Sequence, residues 1–188
     1  MEALLVSAGI VALSEMGDKT QLLAFALAAR LKQPGPIVLG ILVATLANHF
    51  LAGWIGVWLA GVASPHVLKW GVGLSFIAFG LWALKPDTLE GDRGPRGAGA
   101  FTTTLVAFFL AEMGDKTQLA TVALAARFDS LLAVVSGTTL GMMIADLPAV
   151  WAGEALAHRV NMRWLRWLAA ALFVVLGLVT LLAAPQLR

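Results

Sequence analysis

Glu15-Met16-Gly17-Asp18-Lys19-Thr20-Gln21-Leu22 recurs unchanged as Glu112-Met113-Gly114-Asp115-Lys116-Thr117-Gln118-Leu119. Each copy sets two acids and a lysine in the middle of an apolar stretch long enough to cross a bilayer. Ionised groups at that depth are costly, rare and by default functional. A salt bridge that only locks two helices would account for one such cluster. It accounts poorly for two copies that each carry two acids per lysine.

The rest of the chain suits the same apolar solvent. Of the 188 residues 60% are hydrophobic and 13% charged, with a mean hydropathy of +0.86. An average soluble domain carries roughly 25% charged residues, so the chain reads as an integral membrane protein. A spanning barrel would show alternating segments of about ten residues. The runs here are long, rich in Leu and Ala and without a period of two, which selects helices. At ~20 residues per crossing the pattern predicts six transmembrane helices, near 4–29, 37–62, 67–84, 100–126, 131–156 and 167–184.

The duplication extends beyond the octapeptide. At the same offset of 97, Gly40 meets Gly137, Trp54 meets Trp151, Gly56 meets Gly153, and Trp70, Phe76 and Gly80 meet Trp167, Phe173 and Gly177. Residues 1–84 and 100–188 are therefore two three-helix repeats, joined by a polar Gly- and Pro-rich linker over 85–99. Three crossings is an odd number, so the second repeat is expected upside down relative to the first. The fold class is thus an all-α membrane protein of two inverted-topology repeats, with its site at their interface. Gly40, Gly53 and Gly56 are expected to let helices approach closely, and most tryptophans to anchor at the bilayer surfaces.

Charge and sulfur content exclude several classes. A net charge of +2 with basic residues at span ends gives no nucleic-acid footprint, and the absence of Cys removes disulfides, thiolate metal sites and sulfur redox chemistry. Met1-Glu2-Ala3 lacks the basic start of a signal peptide, so the first span is expected to persist in the mature protein. Arg30, Lys32, Lys85, Arg93, Arg96, Arg159, Arg163 and Arg166 fall on one side of the membrane, against Lys69, Arg127 and Arg188 on the other. The richer side should be cytoplasmic, with both termini outside.

On a continuous helix Glu15, Asp18 and Gln21 would share one face as a ladder of oxygen ligands, with Lys19 four residues on from Glu15 and able to pair with it. Gly17 would let the backbone bend or a partner helix approach. Glu112, Asp115, Gln118, Lys116 and Gly114 repeat the pattern, and Thr20 and Thr117 add hydroxyls. Two such ladders facing each other form a hard-oxygen set suited to Ca²⁺, Mn²⁺ or Mg²⁺ rather than Zn²⁺ or Cu⁺. Four acids against two lysines leave a formal charge of −2, which one divalent cation or two protons neutralise. Exchange of a divalent cation for protons follows. Asp146 and His49, aligned under the offset, are candidates for a proton relay. Gly-Asp-Lys-Thr is not a phosphate loop, because the upstream glycine and the preceding strand are missing.

Two Glu-x-Gly-Asp-Lys-Thr motifs, in the first and fourth spans of a duplicated six-helix chain, resemble the calcium/cation antiporter-two family. These are Golgi-type Ca²⁺/Mn²⁺:H⁺ exchangers, with bacterial manganese exporters and chloroplast members. The resemblance implies export of Mn²⁺, or Ca²⁺, from the cytosol against protons, with Glu15, Asp18, Glu112 and Asp115 forming the ion site. The short linker of mixed charge departs from the longer acidic one of larger members, and the compact form looks like a bacterial inner-membrane protein. No nucleophile–base pair or cofactor motif suggests an enzyme. The rival readings are an exporter of a basic metabolite such as a cationic amino acid and a carboxylate-lined cation channel.

Overall fold

The structure is a computed structural model that describes residues 1–85, 99–152 and 162–183. Among these residues every regular element is an α-helix: α1 (Glu2–Glu15), α2 (Lys19–Leu31), α3 (Pro34–Val62), α4 (Pro65–Ala83), α5 (Ala100–Glu112), α6 (Lys116–Phe128), α7 (Leu131–Ala152) and α8 (Met162–Leu182). Nearly all of the linker lies outside the described residues, as do Arg93, Arg96, Gly153, Glu154, His158, Arg159 and Arg188.

Local sequence explains the element ends. Pro34 and Pro65 open α3 and α4, where a missing N–H costs nothing. Ser64 caps α4 by accepting the Val67 N–H at 3.4 Å. α2 and α6 stop in left-handed residues, Lys32 and Asp129.

Among the described residues three helices are long and apolar enough to cross a membrane, namely α3, α4 and α7 over Leu131–Trp151. The first and fourth expected spans are corrected. Each is interrupted at its octapeptide, so that α1–α2 and α5–α6 are pairs of half-helices of 14, 13, 13 and 13 residues. At 1.5 Å per residue each half is about 20 Å long, short of the ~30 Å hydrocarbon core. The last helix starts at Met162, five residues before the expected boundary, and carries exposed Arg163 and Trp164 in its first turn.

α1 lies along α7, and α3 lies against α5, α6 and α7, while α2 also reaches α7. α4 and α8 pair with each other. Their seam is filled by Phe76 stacked on Phe173 at 6.3 Å, with Phe79 edge-on to Phe173 at 6.2 Å. A second apolar cluster joins Ile37, Ile41, Leu27 and Phe108. Outward, Trp54, Trp58, Leu81, Trp151 and Trp167 are exposed, as expected of a surface solvated by lipid.

Glycine sets how closely these helices meet. A Cβ on Gly56 would collide with the Val122 carbonyl oxygen of α6 and lie 2.8 Å from Ala125 Cβ. One on Gly40 would lie 2.9 Å from the Phe101 carbonyl oxygen of α5. Neither neighbour is a flexible side-chain end, so the backbones would have to part. Gly56→Ala should therefore destabilise the folded protein by about 1–3 kcal/mol, read as thermal unfolding in detergent. Gly9→Ala, where a Cβ meets nothing within 4 Å, should be neutral or slightly stabilising. Equal effects of the two changes would show that the α3–α6 contact is not limiting.

Candidate metal centre

The octapeptides are turns, not helix centres. Met16 has φ −64° and ψ 116°, and Gly17 follows with φ 81°. The Asp18 N–H then closes the turn on the Glu15 carbonyl at 3.0 Å. These are the dihedrals of a type II turn, whose third position demands positive φ and so favours glycine. The second copy repeats it, with Met113 at φ −65° and ψ 117°, Gly114 at φ 79°, and Asp115 N–H on the Glu112 carbonyl at 3.1 Å. Asp18 and Asp115 are extended and start α2 and α6, but their carboxylates do not cap the helices. Those carboxylates are left for other work.

Each remaining motif residue has a partner. Thr20 Oγ1 donates to Glu15 Oε2 at 2.7 Å and Thr117 Oγ1 to Glu112 Oε2 at 3.0 Å. Gln21 Oε1 accepts the Gly17 N–H at 2.9 Å, and Gln118 Oε1 accepts that of Gly114 at 2.7 Å. The glutamine amides then reach outward. Gln21 Nε2 donates to the Ala145 carbonyl on α7 at 2.8 Å, and Gln118 Nε2 to Asn48 Oδ1 on α3 at 3.3 Å. Asn48 in turn donates to the Phe109 carbonyl at 3.1 Å.

The lysines correct the expected pairing. Each bridges to the aspartate of the other motif. Lys19 Nζ lies 3.1 Å from Asp115 Oδ2, and Lys116 Nζ lies 2.8 Å from Asp18 Oδ1. The ion pairs thus cross between the two motifs. The ligand ladder on a continuous helix face is likewise overturned, because α1 ends at Glu15 and α2 starts only after Asp18, so the three residues do not share one helix. The physical reason is Gly17. With the Gln21 oxygen satisfying its N–H, a break costs less than a continuous helix would suggest.

The break still gathers the acids. Glu15, Asp18, Glu112 and Asp115 are all buried. Glu15, Glu112 and Asp115 each offer an oxygen within 4.8 Å of the others. With Oε2 of each glutamate held by threonine, Oε1 of Glu15 and of Glu112 has no hydrogen-bond partner among the described residues. Two such oxygens in an apolar interior repel when both are ionised, and a cation or protons between them relieve that repulsion.

Asp146 on α7 and His49 on α3 are fully buried, and their side-chain polar atoms lack hydrogen-bond partners among the described residues. They adjoin Ala145 and Asn48, the two anchors of the motif glutamines. The surroundings of the two turns are unequal. Met113 and Gly114 are exposed, whereas Met16 and Gly17 are half-buried. The Lys19 side chain is 22% exposed and that of Lys116 only 4%. Sequence reading missed the bridging role of Asn48 and the capping role of the glutamines. The signal available was a glycine directly before Asp-Lys-Thr, a turn residue followed by a helix start.

Comparison with known proteins agrees with this chemistry. Residues 3–91 and 100–187 match the family described as divalent cation/proton antiporter GDT1. A Vibrio cholerae protein named "Putative manganese exporter" is 45% identical over 181 residues, covering 96% of this chain and 90% of that protein. GDT1-like protein 5 of Arabidopsis thaliana is 30% identical, over 90% of this chain and 91% of its own. GDT1-like protein sll0615 of Synechocystis is 28% identical, over 91% and 92%. No solved structure matches the chain. With both halves matched and the octapeptides folded into one cluster of buried acids, the chain belongs to the GDT1 family of divalent cation/proton antiporters.

Proposed function

We propose that the chain exports Mn²⁺ from the cytosol in exchange for protons, with Ca²⁺ as the second candidate cargo. The observation that carries this reading is that Glu15, Glu112 and Asp115, all buried, each bring a carboxylate oxygen within 4.8 Å of the others, while Oε1 of each glutamate has no hydrogen-bond partner among the described residues. Three hard oxygens at that spacing suit one small divalent ion. They leave no length for the stem of a basic amino acid. Asp18 completes the acid set, while Thr20, Thr117, Lys19 and Lys116 orient it. Gln21 and Gln118, first read as ligands, enter as supports of the turns because glycine N–H groups engage their oxygens. Mn²⁺ takes precedence because of the name carried by the Vibrio cholerae relative.

The architecture we infer is a six-span inverted repeat in a bacterial inner membrane, with α1–α2 and α5–α6 as broken spans. It is supported by the offset of 97 and by reciprocal packing, α3 against α5 and α6 and α7 against α1 and α2. Half-helix ends meeting at the midplane are how carriers of this kind build ion sites. The excess of basic residues on one side supports a cytoplasmic 85–99 linker and both termini outside. Asp146 and His49 are the proposed proton relay, one flanking each motif glutamine's anchor.

Purified protein in vesicles tests the cargo. An inside-acid gradient should drive Mn²⁺ uptake with matching proton efflux, and a Mn²⁺ gradient should drive protons the other way. Glu15→Gln or Asp115→Asn should reduce this flux to background while the protein still elutes as a folded species. Retained Mn²⁺ flux in both variants would refute the site, and flux indifferent to the proton gradient would refute exchange.

Asp146→Asn should leave Mn²⁺ binding in place yet weaken the coupling of metal to proton movement. Unchanged coupling would remove Asp146 from the relay. The ion pairs give a stability test. Lys116→Met leaves a buried Asp18 without its ammonium partner and should cost about 3–5 kcal/mol, recovered in large part by adding Asp18→Asn. Lys19→Met should cost clearly less, because that lysine is partly exposed and screened. Equal losses in chemical unfolding would show that burial does not set the worth of these pairs.

A further inference from the structure

A second site lies away from the octapeptides, at the end of the bundle where α3 turns into α4 and where α6 and α8 stop. A cavity of about 570 Å³ opens there. Its ionisable lining among the described residues is Lys69, Arg127 and Glu2, two cations against one acid. Arg127 is held in place. Its guanidinium sits 5.4 Å over the Phe128 ring, and Nη1 donates to Thr180 Oγ1 at 2.7 Å. Its Nε is buried and makes no hydrogen bond among the described residues. An ordered guanidinium with spare donors beside a second cation is suited to a phosphate.

The cavity does not end at the charges. It shares Ala63, Leu68, Val72 and Ala126 with a groove of about 290 Å³ between α4 and α6. The groove follows α4 from Val67 to Phe79, about 18 Å at 1.5 Å per residue. That is more than half of the ~30 Å hydrocarbon core. Its one polar side chain, Ser75, already donates to the Val72 carbonyl at 2.9 Å. A soluble anion would gain nothing from such a groove, whereas an acyl chain fits it.

We propose that this composite pocket binds an anionic phospholipid, its phosphate between Lys69 and Arg127 and one acyl chain along the apolar groove between α4 and α6. Basic pockets between membrane helices hold anionic headgroups on the cytoplasmic side. The same pairing of charges operates here on the face that the basic residues assign to the outside. Because α6 begins at Lys116, a lipid seated here braces a helix whose other end carries part of the ion site.

Native mass spectrometry of the full-length protein, titrated with phosphatidylglycerol or with phosphatidylcholine of the same chain length, tests the proposal. The wild type should bind phosphatidylglycerol about tenfold more tightly, because both lipids offer a phosphate but the choline ammonium of phosphatidylcholine meets Lys69 and Arg127 with like charge. Lys69→Gln with Arg127→Gln should erase that preference. Gly71 lines the groove, and a Cβ there meets nothing within 4 Å. Gly71→Leu should therefore fill the groove without disturbing the fold and weaken both lipids, while Gly9→Leu should change neither. Equal binding of the two lipids by the wild type overturns the proposal, and so does a preference that survives loss of both cations. Glycerol phosphate binding as tightly as phosphatidylglycerol, and insensitive to Gly71→Leu, would make this a soluble-anion pocket and overturn the lipid assignment. The wild-type comparison decides the matter even where a variant fails to fold.

Discussion

Two crossed ion pairs, Lys19 with Asp115 and Lys116 with Asp18, are the constraint on which the rest depends. An ionised carboxylate in an apolar interior costs several kcal/mol unless a partner or a proton offsets its charge. Here each motif supplies the other's partner. Each half takes the ammonium partner of its aspartate from the other half, so these pairs exist only when the two halves come together. Once they do, each glutamate keeps one oxygen without a hydrogen-bond partner among the described residues, and the two carboxylates lie close to each other and to that of Asp115. The two aspartates are thereby paired with ammonium groups, while neither of these bridges gives one to the glutamates.

Breaking a helix inside a membrane exposes backbone groups that have no water to turn to. The octapeptide deals with these groups itself. Glycine takes the positive φ, aspartate N–H closes the turn, and glutamine caps the glycine N–H while its amide holds a neighbouring helix. Threonine fixes the glutamate rotamer. Each residue of the motif thus has a separate physical duty, and only the acids and lysines carry charge. The turn is as much a part of the site as the oxygens are.

Membrane helices, the duplication and the identity of the buried acids were all legible in the sequence, because each rests on composition or on repetition at a fixed offset. The break was not. Glu15, Asp18, Lys19 and Gln21 fit a helical face well by spacing, and intramembrane glycine is common enough in helices to pass without comment. What decided the geometry was a pairing between residues 96 positions apart, Lys19 with Asp115, which spacing within one motif cannot reveal. Asn48 escaped for the same reason: its partner Gln118 lies on the other half of the chain. The early start of α8 was hidden because Arg163 and Arg166 read as a loop, whereas long basic side chains on a first helical turn can reach the bilayer surface.

The unequal surroundings of the two octapeptides bear on how their sequences are selected. Lys116 is enclosed where Lys19 is partly open, and Gly114 is exposed where Gly17 is not. Residues that always met different environments would be free to drift apart, as Asn48 and Ala145 or His49 and Asp146 have done at the positions beside them. The eight motif residues have not drifted at all. The two copies are thus alike in chemistry and unlike in access to water, so the Lys19–Asp115 pair is the more screened of the two crossed bridges.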